Sequence, residues 1–343
     1  MISYPLENMF GHTVEQLEKI ASSWDQNEFI GTALWETHYP FDKFALLIDL
    51  LRRRNVKVTL ILNSWSLNYP EHTEQLNCDV IFFDYFLWKT YNEIVVKKKS
   101  LMSANWNSKA NKFLFLTGKP QKPNRIRLLY KFSQQSLLDS CVWSLFVHSG
   151  NSKESHDHVR ELDDKDFEEF VKKHSNNPDN ADIIIQPSSI HYGGIPYDEN
   201  LFTNAKFRVI AETDMSNNFP WLTEKTWITI LNRLPFIVAG DANSNRQLKK
   251  MGFRTFDRYV PDISYDSIRD VEQRLDKIVD HTKFWLGNEI DATNVSQDVE
   301  HNYNRLISLA TESKAKLVQK LSSVGVVADI DDVISTLDII TNT

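Results

Sequence analysis

Apolar positions along the chain fall into two recurrent kinds of segment. Short, nearly unbroken apolar runs lie at 28–34 (EFIGTAL), 57–63 (KVTLILN), 79–84 (DVIFFD), 112–117 (KFLFLT), 183–185 (III), 207–211 (FRVIA) and 235–239 (PFIVA). Runs of this length, bounded by polar turns, predict strands buried on both faces of a parallel sheet. Between them, apolar residues recur at helical spacing at 13–23, 41–54 and 125–135, in the segment opened by Thr223-Glu224-Lys225, and from 299 to about 322. The 41–54 helix carries Asp42 near its start and Arg52-Arg53-Arg54 near its end, as the helix dipole favours. Strands alternating with helices predict an α/β fold built on a parallel, doubly wound sheet.

At 343 residues the chain is long for one core and suits two domains. Segment 151–180 is polar, charged and poor in strand formers, and it ends in Asn-Asn-Pro-Asp-Asn. It reads as a connection. This sets a first domain at 1–150, a linker at 151–181, a second domain at 182–295 and a helical tail at 296–343. The chain has ten glycines and neither G-x-G-x-x-G nor G-x-x-x-x-G-K-[ST], which argues against a Gly-rich dinucleotide or P-loop site. A net charge of −7 weighs against a non-specific nucleic-acid binder. No run of 18 apolar residues occurs, and the amino terminus MISYPLENMFGH lacks a basic region followed by an apolar core. The expectation is therefore no membrane span, no signal peptide and a cytoplasmic location. Cys78 and Cys141 sit far apart in apolar surroundings and read as buried reduced thiols.

Candidate chemistry concentrates in 207–256. The run 207–211 ends in Glu212, a polar loop follows, Thr223-Glu224-Lys225 opens a helix, and the run 235–239 ends in Gly240. In an open α/β sheet, ligands bind at the carboxyl ends of strands. A helix N-terminus adds free N–H groups and partial positive charge suited to phosphate. A second concentration is 118–127, GKPQKPNRIR, which follows one strand and precedes one helix. Its Lys119, Arg125 and Arg127 are candidate phosphate ligands, arginine being favoured because its fork grips two oxygens. A third is 191–196, HYGGIP, where paired glycines permit close backbone approach to a ligand beside Tyr192. Plainer readings stand beside each: a solvated basic turn, a Thr223 helix cap with Glu224 at its positive end, a pairing of Glu212 with Arg208 or Lys225, and a simple turn. No metal is expected. Asp329-Ile330-Asp331 lies outside the predicted cleft, and His156-Asp157-His158 is too close-set for zinc.

The blocks FRVIAET (207–213), WLTEK (221–225), PFIVAG (235–240) and LKKMGFRTF (248–256) stand in one order. In that order they resemble the carboxyl-terminal, donor-binding half of fucosyltransferase-like glycosyltransferases. They are closer still to the exostosin/fucosyltransferase-like proteins of phages and other large DNA viruses. The resemblance is strong over about 206–280, moderate over 112–146 and absent over the first hundred residues.

It implies two Rossmann-like domains facing a cleft (the GT-B type), with the helical tail packing back on the first domain. It also implies transfer of a sugar from a nucleotide-diphospho-sugar to an acceptor hydroxyl, with inversion and with neither metal nor cofactor beyond the donor. Residue by residue, it implies Glu224 on the ribose hydroxyls, Lys225 on a phosphate and Arg125 on the pyrophosphate. Lys119, Arg127, Glu212, Asn218, Thr223 and Tyr192 would complete the donor pocket. An inverting transfer needs a general base, which in such enzymes comes from the first domain; Glu36 is the first candidate, then Asp84 and His38. For a viral member the location would be the host cytoplasm. Two departures stand out: Asn124 replaces a usual histidine, and Ile263 replaces a usual acid. Two other functions fit the same residues, a phage DNA-modifying glycosyltransferase acting on a hydroxymethylated base and a catalytically inactive, glycosyltransferase-like binding module.

Overall fold

The computed structural model describes residues 3–6, 12–33, 41–63, 73–96, 106–117, 123–145, 165–166, 169–170, 191–192, 195–196, 199–217, 219–261 and 264–325. The chain divides into two compact units, one formed by Met1–Trp88 with Leu309–Thr343, the other by Lys89–Ser308.

The first unit holds a parallel sheet of β1 (Ser3–Pro5), β2 (Glu28–Ala33), β3 (Lys57–Asn63) and β4 (Asp79–Phe83), in that spatial order. The helices α1 (Val14–Ser23) and α2 (Phe41–Arg53) connect them. Thr13 starts α1 with a reciprocal capping box, its hydroxyl accepting from the Gln16 amide while the Gln16 side chain accepts from the Thr13 amide. Both helices bury one apolar stripe against one sheet face, through Leu17 and Ala21 in α1 and Phe44, Leu47, Ile48 and Leu51 in α2. The other face, with Ile30, Ile61, Ile81 and Phe83, packs on Tyr85 and Trp88 of α3 (Tyr85–Tyr91) and on Leu317 and Leu321.

The second unit holds a parallel sheet of β5 (Phe113–Thr117), β6 (Cys141–Leu145), β9 (Phe207–Ala211) and β10 (Phe236–Ala239) in the order β10-β9-β5-β6. A two-stranded antiparallel pair, β7 (His191–Tyr192) and β8 (Ile195–Pro196), precedes β9 in the chain. The helices are α4 (Pro123–Gln134), α5 (Glu199–Thr203), α6 (Glu224–Leu231), α7 (Ser244–Lys250), α8 (Val271–Gly287) and α9 (Ala292–Ser323).

An aromatic core fixes the pairing of β5 with β9. Phe113 stacks on Phe207 with ring centroids 5.4 Å apart, and Phe132 of α4 meets Phe113 and Phe115 edge-on. Trp285 of α8 packs on Phe207, Phe256 and Tyr259. The opposite face of β9 carries Arg208, whose Nη1 donates to Thr229 of α6. Helices α4 and α6 thus cover opposite faces, as right-handed crossovers leaving in opposite directions require.

This arrangement corrects the expected domain boundary. The first domain was expected to reach residue 150, yet β5, α4 and β6 belong to the second unit. The reason is the Phe113–Phe207 stack and the register Phe113 to Phe207 and Leu114 to Arg208, which bind segments about 90 residues apart. The final helix also starts earlier than expected, at Ala292, and its last turns count with the first unit. Most of 151–181 lies outside the described residues.

Among the described strands β10 is an edge of its sheet, and part of its backbone is covered by a side chain. The buried Tyr265 hydroxyl accepts from the Val238 amide and from Asn245 Nδ2, both at 3.0 Å. Tyr265→Phe leaves both donors without that acceptor and is expected to destabilise the protein by about 1–3 kcal/mol. Urea unfolding with an unchanged m value checks this.

Candidate functional site

The order β10-β9-β5-β6 contains a reversal. The chain leaves β5 through α4 toward β6, and leaves β9 through α6 toward β10. The carboxyl ends of β5 and β9 are therefore the switch point, the place where open α/β sheets bind ligands. The described strands of the first sheet run β1-β2-β3-β4 without such a reversal.

From the β5 side, the first turn of α4 brings Arg125. It is 6% exposed, and its Nε donates to the Glu212 carbonyl at 3.1 Å. Burial lowers its pKa, while Glu212, Glu224 and Asp214 oppose that shift from beyond ion-pair distance. A buried guanidinium anchored at Nε, with no ion pair among the described residues, is the kind of group that suits an anion. Arg127, two residues on, faces another way, because two helical residues subtend about 200°. Its Nη1 meets Glu272 of α8 at 2.7 Å, beside a Lys131–Asp276 pair of 2.6 Å. Arg127 was expected at the phosphate, and the structure instead uses it to tie α4 to α8.

From the β9 side comes a carboxylate wholly taken up by the helix it faces. Glu212 is buried at the end of β9. Its Oε1 accepts from the Thr223 amide (3.1 Å) and the Thr226 hydroxyl (2.7 Å), and its Oε2 accepts from the Thr223 hydroxyl (2.5 Å). Expected in the donor pocket, Glu212 serves here as the clamp that sets the first turn of α6. The expected Thr223 cap is present too, its hydroxyl facing the Lys225 amide at 3.5 Å. Lys225 is 7% exposed, and its Nζ pairs with Glu224 at 2.7 Å and with the Thr223 hydroxyl at 3.1 Å. The two residues expected to divide a nucleotide between them are thus paired with each other.

Beneath this layer, Arg208 is fully buried. It makes one hydrogen bond to Thr229, stands over the Phe202 ring at 5.4 Å, and has Nε and Nη2 without acceptors among the described residues. Desolvation depresses its pKa to about 10, against the fields of Glu212 and Glu224, so it stays charged near neutrality. It does not pair directly with Glu212.

Asp241, the residue after Gly240, is not among the residues that the sequence singles out. Asp241 is buried and accepts from the Asn217 amide (2.8 Å) and from Asn217 Nδ2 (3.3 Å). Burial pushes its pKa up to about 6; the Asn217 bonds and the Trp221 amide pull it down, and Asp214 adds to the rise. A carboxyl raised in the folded state favours folding most when protonated. Its contribution is complete below the ordinary carboxylate range and is lost as pH rises toward 6. A signal was legible in principle, since a strand ending in Gly-Asp at a sheet's carboxyl edge is a site position.

Of the other candidates, Asp84 follows β4 in the first unit and its carbonyl accepts from the Trp88 amide, the position of a helix start. Tyr192 lies in β7. Glu36, His38, Lys119 and Asn218 lie outside the described residues. Cys141 is buried, and Cys78 is half-buried with its thiol pushed up to about 12 by burial first and then by Asp79. Among the described residues, no group of three or more His, Cys, Asp or Glu could hold a metal ion, and no helix is long and apolar enough to cross a membrane.

Comparison with protein-family models, with curated proteins and with solved structures gives no match for this chain.

Proposed function

We propose that this chain is a glycosyltransferase of the GT-B kind, with two Rossmann-like units facing a cleft, which takes a sugar from a nucleotide-diphospho-sugar to an acceptor hydroxyl. One observation carries the reading. At the switch point of a parallel sheet, Arg125 is almost fully buried and anchored through Nε, with its outer fork unpaired among the described residues. A charge is expensive to bury without a partner, and a pyrophosphate is the partner that this fork, the α6 N-terminus and Lys225 together suit.

On this reading the donor opens the Lys225–Glu224 pair. The ammonium moves to a phosphate oxygen, and the carboxylate accepts from the vicinal ribose hydroxyls. Glu212 stays in place, because its oxygens already hold Thr223 and Thr226. The general base would come from the first unit, with Glu36, Asp84 and His38 as the candidates. The acceptor is a glycan or another hydroxyl compound.

Calorimetric titration with UDP, GDP, CDP and dTDP tests the reading. One nucleotide should bind, and Lys225→Ala should weaken it roughly tenfold or more, as loss of a charge-assisted bond implies. Binding of none of the four would overturn the enzyme reading in favour of an inactive, glycosyltransferase-like module.

A further inference from the structure

The connection between β9 and α6 carries the residues of the candidate site at its two ends, Glu212 and Thr223. It is held from two other elements. Arg274 of α8, buried, donates to the Met215 carbonyl and also to the Ile268 carbonyl. Asp241, which follows β10, accepts twice from Asn217. Strand β10 is itself fixed to β9 there, the Glu212 amide donating to the Ala239 carbonyl at 2.9 Å. Space is tight at this point. A Cβ on Gly240 would stand 3.3 Å from the Glu212 Cβ and 3.2 Å from the Ser244 hydroxyl.

We propose that Asp241 is a positioning residue for the anion site, holding the β9–α6 connection against the end of β10 so that the first turn of α6 faces Arg125. The proposal rests on the reading of that site given above. Asp241 touches none of the ligand groups assigned there; it acts through Asn217.

The charged groups facing Asp241 are Asp214 from the connection itself and Arg274 from α8, which in turn also senses Asp266 and Asp270. With the carboxyl pushed up to about 6 by burial, this clamp titrates close to neutrality. The ionised carboxylate is the stronger acceptor for the two N–H groups of Asn217. Protonation near pH 6 turns one oxygen into a donor that faces Asn217 Nδ2, itself a donor, and the clamp loosens. Positioning and bulk electrostatics then predict opposite signs. Through the clamp, anion binding weakens as Asp241 takes up its proton. Through charge alone, loss of a nearby negative charge would strengthen it.

The test is the affinity of the full-length protein for UDP, GDP, CDP and dTDP between pH 5 and 8, wild type against Asp241→Asn and Asn217→Ala. The nucleotide's own titration is common to all three proteins and drops out of their ratios. Asp241→Asn removes a buried charge and so should fold at least as well as wild type near pH 7. The expected result is wild-type binding about tenfold tighter than Asp241→Asn at pH 8, with a ratio near one at pH 5 and a smaller loss in Asn217→Ala. A ratio below one at pH 8, or one that does not change with pH, overturns the proposal. If no nucleotide binds the wild type at any pH, the anion-site reading falls separately. The clamp then stands or falls on the hydrogen-exchange protection factor of the Asn217 amide at about pH 7, which should be lower in Asp241→Asn than in the wild type.

Discussion

Glu212→Ala is expected to lower the unfolding free energy by about 3–5 kcal/mol, the range seen when one member of a buried, fully engaged polar network is removed. The alanine leaves the Thr223 amide and the Thr223 and Thr226 hydroxyls, all buried, without that acceptor. It also removes a negative field that Arg125 and Arg208 both feel. Glu212→Gln keeps one acceptor oxygen and turns the other into a donor pointed at a hydroxyl, so it should lose less, about 1–3 kcal/mol. Chemical denaturation of both variants separates the contributions. A loss under about 1 kcal/mol in the alanine variant would show that α6 does not depend on this carboxylate.

Arg125→Ala should leave the protein folded and weaken nucleoside diphosphate binding by about a hundredfold, the loss of two charge-assisted bonds to phosphate. Folding tolerates the change because the guanidinium is already a burden to it: desolvation dominates, and only the single bond to the Glu212 carbonyl is given up. Arg125→Lys restores charge without the fork and should recover about a tenth of the affinity. Calorimetry on the three proteins reads this directly. Unchanged binding in Arg125→Ala would mean that the anion lies elsewhere.

What the sequence disclosed and what it hid follow a physical line. Segments such as Lys57–Asn63, Phe207–Ala211 and the helix after Thr223 were legible to within a residue, because periodicity and capping are local properties. The partner of β5 was not, since an apolar run of five residues fits either sheet, and only the Phe113–Phe207 stack decides between them. Helix α8, and with it Arg274, was also passed over. Arg127 is close to Arg125 along the chain but far from it around the helix, so its pairing with Glu272 is not legible from spacing alone. Glu212 drew notice for its place at the end of a strand. That its oxygens are consumed by two threonines depends on the angle of α6, which no local pattern encodes. Asp241 escaped for a similar reason: its neighbours, Asn217 and Asp214, come from another loop.

The last turns of α9 complete a unit that the ribosome began some three hundred residues earlier. Ile30, Ile61, Ile81, Phe83, Tyr85 and Trp88 form an apolar face whose cover includes Leu317 and Leu321. At about 5–20 residues per second, the interval between Trp88 and Leu317 is on the order of 10–50 seconds, during which that face waits for its last two leucines. The second unit, by contrast, is synthesised as one continuous stretch, Lys89–Ser308. The unit translated first is thus the unit finished last. A nascent chain stopped before Leu317 would present an uncovered apolar face to chaperones and to its neighbours, even with the sheet of the second unit already made.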